Sequence, residues 1–268
     1  MRRPKWVSLS AAAVAAVLVS ATTLAVEPVV LTPDLVTIEP KDFSIDTSTV
    51  SGRRLLRFDN EVLNTARDGR GALAANIGPL EVFPSKTKCG TRGEDRIAMQ
   101  RLYHDANGNG VFERGTDTSS TTAEAGCMTF HAQHRHWHID NFASYELYAT
   151  DVDGERTGLS LTSSPKATFC LIDVHNPQAG VTGSPSSKYY RSCGRNATEG
   201  LSIGWSDEYP STISGQWVDI TGLAAGLYCF VSTADPTVHL TERNDANNAA
   251  SVRVQIGLTA SGLAETDC

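Results

Sequence analysis

Beyond its first 25 residues the 268-residue sequence has no apolar run long enough to cross a bilayer, no clean 3.6-residue apolar period, no internal repeat and no low-complexity tract. The first absence argues against a permanent membrane anchor there. The second argues against helices and leaves strands and loops as the expected material. Positive charge is also scarce, with 23 Lys and Arg against 30 Asp and Glu and a formal net charge of −7. That sign argues against nucleic acid or anionic lipid as a partner, because nothing would neutralise their phosphates, while cationic substrates would be steered favourably. None of the six cysteines stands in a Cys-x-x-Cys pair, so that form of zinc or redox motif is missing.

The first 25 residues have the layout of a secretory signal. Arg2, Arg3 and Lys5 precede an apolar, alanine-rich stretch from Leu9 to Val19, and small residues lead to an expected cleavage after Ala25. Removing the segment takes away three cations and moves the formal charge from −7 to −10. The mature protein is expected to be secreted and extracellular, with no stable membrane insertion. Its cysteines can then form disulfides, and their order suggests Cys89 with Cys127, Cys170 with Cys193, and Cys229 with Cys268.

Short β-branched and aromatic segments recur between turn signals: Arg54 to Phe58, Ile97 to Tyr103, Met128 to Ile139, Phe142 to Tyr148, Ala167 to Val174, Gln216 to Ile220, Gly226 to Val231 and Ser251 to Ile256. They predict an all-β fold, a single β-sandwich-like domain with long loops and little helix, over residues 46–258. Residues 26–45, with several prolines, read as an irregular lead-in, and residues 259–268 as a tail tied back through Cys268.

The densest chemical signal is histidine. Four of the seven histidines fall in Phe130-His131-Ala132-Gln133-His134-Arg135-His136-Trp137-His138. If the run is extended, His134, His136 and His138 share a face. Imidazole suits copper, zinc, iron and nickel. A straight strand would hold the outer two Cα atoms about 13 Å apart, so gripping one ion needs a bend or inward-leaning rings. The alternative is a solvent-facing polar strand. Asp105-Ala106-Asn107-Gly108-Asn109-Gly110 matches half of a calcium loop, but Thr116 stands where the bidentate Glu belongs, and a simple hairpin turn is the preferred reading. The loop from Glu242 through Asn244, Asn247 and Asn248 offers oxygens for calcium, or equally caps turns in solvent.

Several segments together resemble the catalytic domain of the lysyl oxidases, in order and spacing. These are His134-Arg135-His136-Trp137-His138, Phe142 to Leu147, Lys166-Ala167-Thr168-Phe169-Cys170-Leu171-Ile172-Asp173, Gly200 to Gly204 and Gln216 to Thr221. Leu55 to Phe58 and the loop from Glu242 add to the likeness, which covers roughly residues 30 to 256 and makes residues 46–258 the expected lysyl oxidase-like catalytic domain. The alanine-rich leader suggests a bacterial member.

The resemblance implies copper ligands at His134, His136 and His138. It implies a lysine tyrosylquinone cofactor built from Lys166 and Tyr209, and calcium ligands at Asp34, the Leu35 carbonyl, Glu242, Asn244, Asn247 and Asn248, with Asn244 in place of an Asp. Cys170 with Cys193 is the counterpart of a family disulfide. Gln133 stands where animal members have a cysteine, and Ser144 replaces a histidine. The implied activity is oxidation of peptidyl lysine or another primary amine by dioxygen to an aldehyde, releasing hydrogen peroxide and ammonia. Copper and dioxygen would oxidise the Tyr209 ring to a quinone, and a neutral, partly desolvated Lys166 amine would add to it. A non-catalytic, metal-stabilised β-sandwich module for binding or cell-surface display is the rival, and a mononuclear copper oxidase without a quinone a third possibility. Trp217 and Phe169 read as core residues, and His131 as a group orienting a ligand imidazole or simply exposed.

Overall fold

The computed structural model describes residues 27–91, 93–166, 168–262 and 268; the expected secretory signal lies outside the described residues. In chain order the strands are β1 (Val30–Leu31), β2 (Leu35–Asp46), β3 (Leu55–Asn64), β4 (Leu80–Lys88), β5 (Arg96–His104), β6 (Ser120–His131), β7 (His136–Asp140) and β8 (Ala143–Thr150). They continue with β9 (Arg156–Ser163), β10 (Thr168–Phe169), β11 (Glu199–Leu201), β12 (Ser206–Tyr209), β13 (Trp217–Asp219), β14 (Gly226–Ala234), β15 (Ala249–Ile256) and β16 (Ala260–Gly262). One 3-10 turn, Asp245–Asn247, interrupts them, and there is no α-helix among the described residues.

The strands form three antiparallel sheets. The first runs β10-β7-β6-β5-β4-β11 with β1 added to β5, the second β12-β3-β13 with β2 on β3, and the third β16-β15-β14-β8-β9. The sheets share one core because their inward faces are apolar. On β8, Ala143, Tyr145 and Leu147 are buried at alternate positions, and Val252, Val254 and Ile256 repeat the pattern on β15. β3 is buried along nearly its whole length, as expected of a strand paired on both edges. Phe58 of β3 packs on Tyr145 and Phe230 with ring centroids 4.8 and 4.4 Å apart, which joins the second sheet to the third. The expected all-β architecture is therefore present, and all three cysteine pairs are those that chain order suggested.

Several local expectations are corrected. The stretch read as an irregular lead-in carries β1 and most of β2. Pro40 is tolerated there because it falls where the register with β3 slips between Ile38 and Lys41, and Asp42 beside it has φ 53°. Of the apolar run expected as a strand from Ala167 to Val174, the described residues 168–174 are strand only at Thr168–Phe169. Beyond it, buried carboxylates take the place of a neighbouring strand: Leu171 N donates to Glu199 and Ile172 N to Asp207. The Asp105 segment is not a tight hairpin turn. It opens the longer connection from β5 to β6, where the Asp105 carboxylate accepts from the amides of Asn107, Gly108 and Gly110, and Asp117 from those of Ala106 and Glu113. Among the tail residues, Ala260–Gly262 adds a short edge strand to β15.

Candidate active site

The histidine run is not one extended strand. β6 ends at His131, residues 132–135 turn, and β7 starts at His136, with His131 facing His136 across the hairpin. Arg135 takes φ 60° to complete the turn. This bend brings His134 round to His136 and His138, which project from one face of β7, and one ring nitrogen of each lies within 4.8 Å of the other two. They are the group of three potential ligands that the described residues bring together. The Nε2 atoms of His136 and His138 are 2.7 Å apart. Burial, followed by the neighbouring imidazoles and Lys166, pushes His138 down to about 3, which favours the neutral ring that a metal requires. His136 shifts the same way, chiefly by burial.

Neighbours fix these rings. Thr168 Oγ1 lies 3.0 Å from His138 Nδ1, which leaves Nε2 facing the cluster. His131 stacks on His138 with centroids 4.2 Å apart and reaches the same hydroxyl at 3.4 Å, as expected of a group that orients a ligand imidazole. Trp137, pointing the other way on β7, is buried against Phe130, and its amide donates to Cys193 O at 2.8 Å. The disulfide from Cys193 to Cys170 ties that support to the segment bearing Lys166 and Thr168.

Lys166 precedes β10, and Tyr209 ends β12, where it pairs with Asn60 of β3. Sequence separation would allow them to be far apart. The fold instead places Lys166 Nζ 5.6 Å from the Tyr209 ring centroid and 4.7 Å from that of Phe169, whose edge packs on Tyr209 at 4.9 Å. Gly215, with φ 81°, passes the Lys166 side chain so closely that a Cβ there would sit 3.4 Å from Lys166 Cβ. Burial lowers the Lys166 ammonium from its ordinary value, with Asp207 pulling in the opposite direction. Tyr209 is buried, and its hydroxyl donates a short hydrogen bond to Asp207 Oδ2 and a 3.4 Å bond to Cys170 O. Burial first, then Asp207, holds the phenol well above its usual range, and burial pushes Asp207 up to about 8.

His131, His134, His136, His138, Lys166 and Tyr209 all line one cleft of about 830 Å³. Phe169 is core, as expected, but Trp217 is only partly buried and forms part of the cleft wall. Thr168 and Asp207 were not singled out from sequence. Each lies two residues from an expected site residue, and for Asp207 and Tyr209 on β12 that spacing puts both side chains on one face of the strand.

The loop from Glu242 to Asn248, with Asp34, gathers most of the residues that the resemblance linked to calcium. Asp34 accepts from Asn247 Nδ2 and Arg243 Nε, each at 2.8 Å, and Glu242 accepts from Asn248 Nδ2 at 2.7 Å and Leu35 N at 2.8 Å. Asn244 instead caps the 3-10 turn through Ala246 N. The side-chain oxygens of Asn247 and Asn248 are buried without a partner among the described residues. Those two oxygens suit a cation, whereas the Arg243 guanidinium already neutralises Asp34.

Residues 91–268 match the family model described as lysyl oxidase. The chain belongs to the lysyl oxidase family. It is 31% identical over 121 residues to lysyl oxidase homolog 2A of Danio rerio, covering 45% of this chain and 15% of that protein. It is 32% identical over 125 residues to lysyl oxidase homolog 4 of Homo sapiens, covering 46% and 15%. Against protein-lysine 6-oxidase of Gallus gallus it is 32% identical over 141 residues, covering 52% and 30%. The chain thus spans less than a third of the length of these lysyl oxidase relatives. No helix among the described residues is long and apolar enough to cross a membrane.

Proposed function

We propose that this lysyl oxidase family member is a secreted copper-dependent amine oxidase that converts a primary amine, peptidyl lysine included, to an aldehyde with release of hydrogen peroxide and ammonia. The observation that carries the reading is the proximity of Lys166 to Tyr209 within the cleft that holds the histidine cluster. A merely structural metal domain has no need of a partly buried amine against a buried phenol. The three disulfides agree with an oxidising compartment.

The donor set fits copper: three imidazoles, their ring nitrogens mutually within 4.8 Å, with His136 and His138 held neutral. His134, His136 and His138 would hold it. When bound, copper with dioxygen supplies the oxidation of Tyr209, and the resulting lysine tyrosylquinone supplies the electrophilic carbonyl that no ordinary side chain has. The chain's own residues do the rest. Thr168 holds the orientation of the His138 ring. Phe169 and the packing around Gly215 keep Lys166 over the phenol and out of water, which favours the neutral, nucleophilic amine. Ile213 and Trp217 give the cleft an apolar wall suited to an alkyl amine chain. The acidic net charge favours approach of a cation.

The test is peroxide release by copper-loaded protein across a panel of primary amines, with phenylhydrazine labelling of the cleft. Turnover and a label in wild type, both lost in Lys166→Ala and Tyr209→Phe, support the reading. Equal turnover in all three rejects the quinone.

A further inference from the structure

Two buried carboxyls behind the cleft are left over from the chemistry described so far. Asp207 and Tyr209 are alternate residues of β12 and share its inward face. Asp207 is 2% exposed, and its Oδ2 accepts the Tyr209 hydroxyl. Glu199, on β11, is 1% exposed; its Oε2 accepts from Leu171 N at 3.1 Å, while Oε1 has no partner among the described residues. Glu199 repels charge on Tyr209, Asp207 repels charge on Glu199, and Asp207 attracts the Lys166 ammonium. One carboxyl therefore meets the phenol directly and lines the same cleft as Lys166.

Burying an acid costs free energy unless its partner compensates. Backbone support explains part of this placement, since Ile172 N reaches the same Oδ2, but at a weak 3.4 Å. The Tyr209 hydroxyl donates to that same oxygen, so the carboxyl meets the proton that must leave before the ring can be oxidised.

We infer that Asp207 is the proton acceptor for Tyr209 when Lys166 and Tyr209 are joined. The inference rests on the quinone reading above. The Tyr209 O–H bond breaks, its electron pair stays on the phenol oxygen, and the proton passes to Asp207 Oδ2. Dioxygen is the oxidant. Joining one tyrosine and one lysine consumes two dioxygen molecules and yields the cross-linked quinone, one water and one hydrogen peroxide, which balances atoms and electrons. Burial, with Asp173 adding its repulsion, raises the proton affinity of Asp207, so that its ionised form is a stronger base than a surface carboxylate.

The test follows cross-link formation rather than turnover. Copper-free full-length protein is loaded with copper in air, and the Lys166–Tyr209 cross-linked peptide is quantified by mass over time for wild type, Asp207→Asn and Asp207→Ser, the latter also with added formate. Copper stoichiometry and thermal midpoint are read on the same samples. The expected result is wild-type copper binding with cross-linking slowed on the order of a hundredfold in both variants, and recovery of Asp207→Ser by formate. Cross-linking of Asp207→Asn at the wild-type rate overturns the inference. So does loss in both variants without formate recovery, which makes Asp207 a purely structural support. If Asp207→Asn does not fold, the formate response of Asp207→Ser decides alone, and failure of both variants to fold likewise makes the role structural. Absence of the cross-linked peptide from wild type is a separate outcome and rejects the quinone reading itself.

Discussion

Lys166 Nζ stands 5.6 Å from the ring centroid of Tyr209, although 43 positions of chain separate the two residues. The Phe169 ring packs against both, and the Tyr209 hydroxyl bonds Cys170 O. A lysine held there has lost hydration and gained a reaction partner. Lys166→Arg keeps the positive charge, but a guanidinium stays protonated and cannot add to a quinone. The variant is expected to bind copper normally, yield no cross-linked peptide and release peroxide only at background. Turnover above a tenth of wild type in this variant would contradict the role given to Lys166.

Thr168 Oγ1 is the recorded partner of His138 Nδ1. Removing a hydrogen bond of this kind behind a metal-binding imidazole typically weakens metal affinity by about 10–100-fold. Thr168→Val, nearly equal in shape, should therefore raise the copper Kd by that factor in a competition titration while leaving the thermal midpoint of the copper-free protein almost unchanged. An unchanged Kd would show that the hydroxyl does not orient the ring.

The disulfide between Cys170 and Cys193 closes a separation of 23 residues and braces both the histidine hairpin and the Lys166 segment. Replacing both cysteines by serine should cost about 3 kcal/mol in denaturant unfolding. It should also lower copper affinity, because Trp137 N hangs from Cys193 O. Loss of stability with full copper affinity would confine the bridge to a stability role.

Asp207 has a folded value of about 8 against an ordinary 3.8. A carboxyl raised in this way contributes stability that is fully present below pH 3.8 and is lost as pH rises through 8. Glu242, also raised to about 8 by burial, acts in the same direction. Wild type should therefore lose stability between about pH 5 and pH 9, and Asp207→Asn should remove its share of that loss, on the order of a few kcal/mol. Urea unfolding at the two pH values measures it. Parallel stability curves for the two proteins would mean that Asp207 titrates normally.

Some of this was legible because local sequence determines it. The alternation in Ala143-Ser144-Tyr145-Glu146-Leu147 and in Val252-Arg253-Val254-Gln255-Ile256 specifies half-buried strands whatever they pack against. Cysteine order matched the bridges. β2 was missed because Pro40 reads as a break, and only its pairing with β3 reveals the register slip that accommodates it. β12 and its Asp207 were missed because Ser206-Asp207-Glu208-Tyr209 is polar by composition, yet it lies beside β3, where the sheets close over it.

The sequence by itself determined the kinds of donor available: four clustered imidazoles, a lysine and a tyrosine in a recognisable order, and strands enough for an all-β fold. Tertiary structure alone decided where their atoms meet. Composition carries ligand chemistry residue by residue, but the turn at residues 132–135 that rotates His134 onto His136 and His138, the burial that lowers Lys166, and the carboxyl set against the Tyr209 phenol all arise from packing between segments far apart in the chain. Desolvation and distance are properties of neighbours in space, and no single segment encodes them.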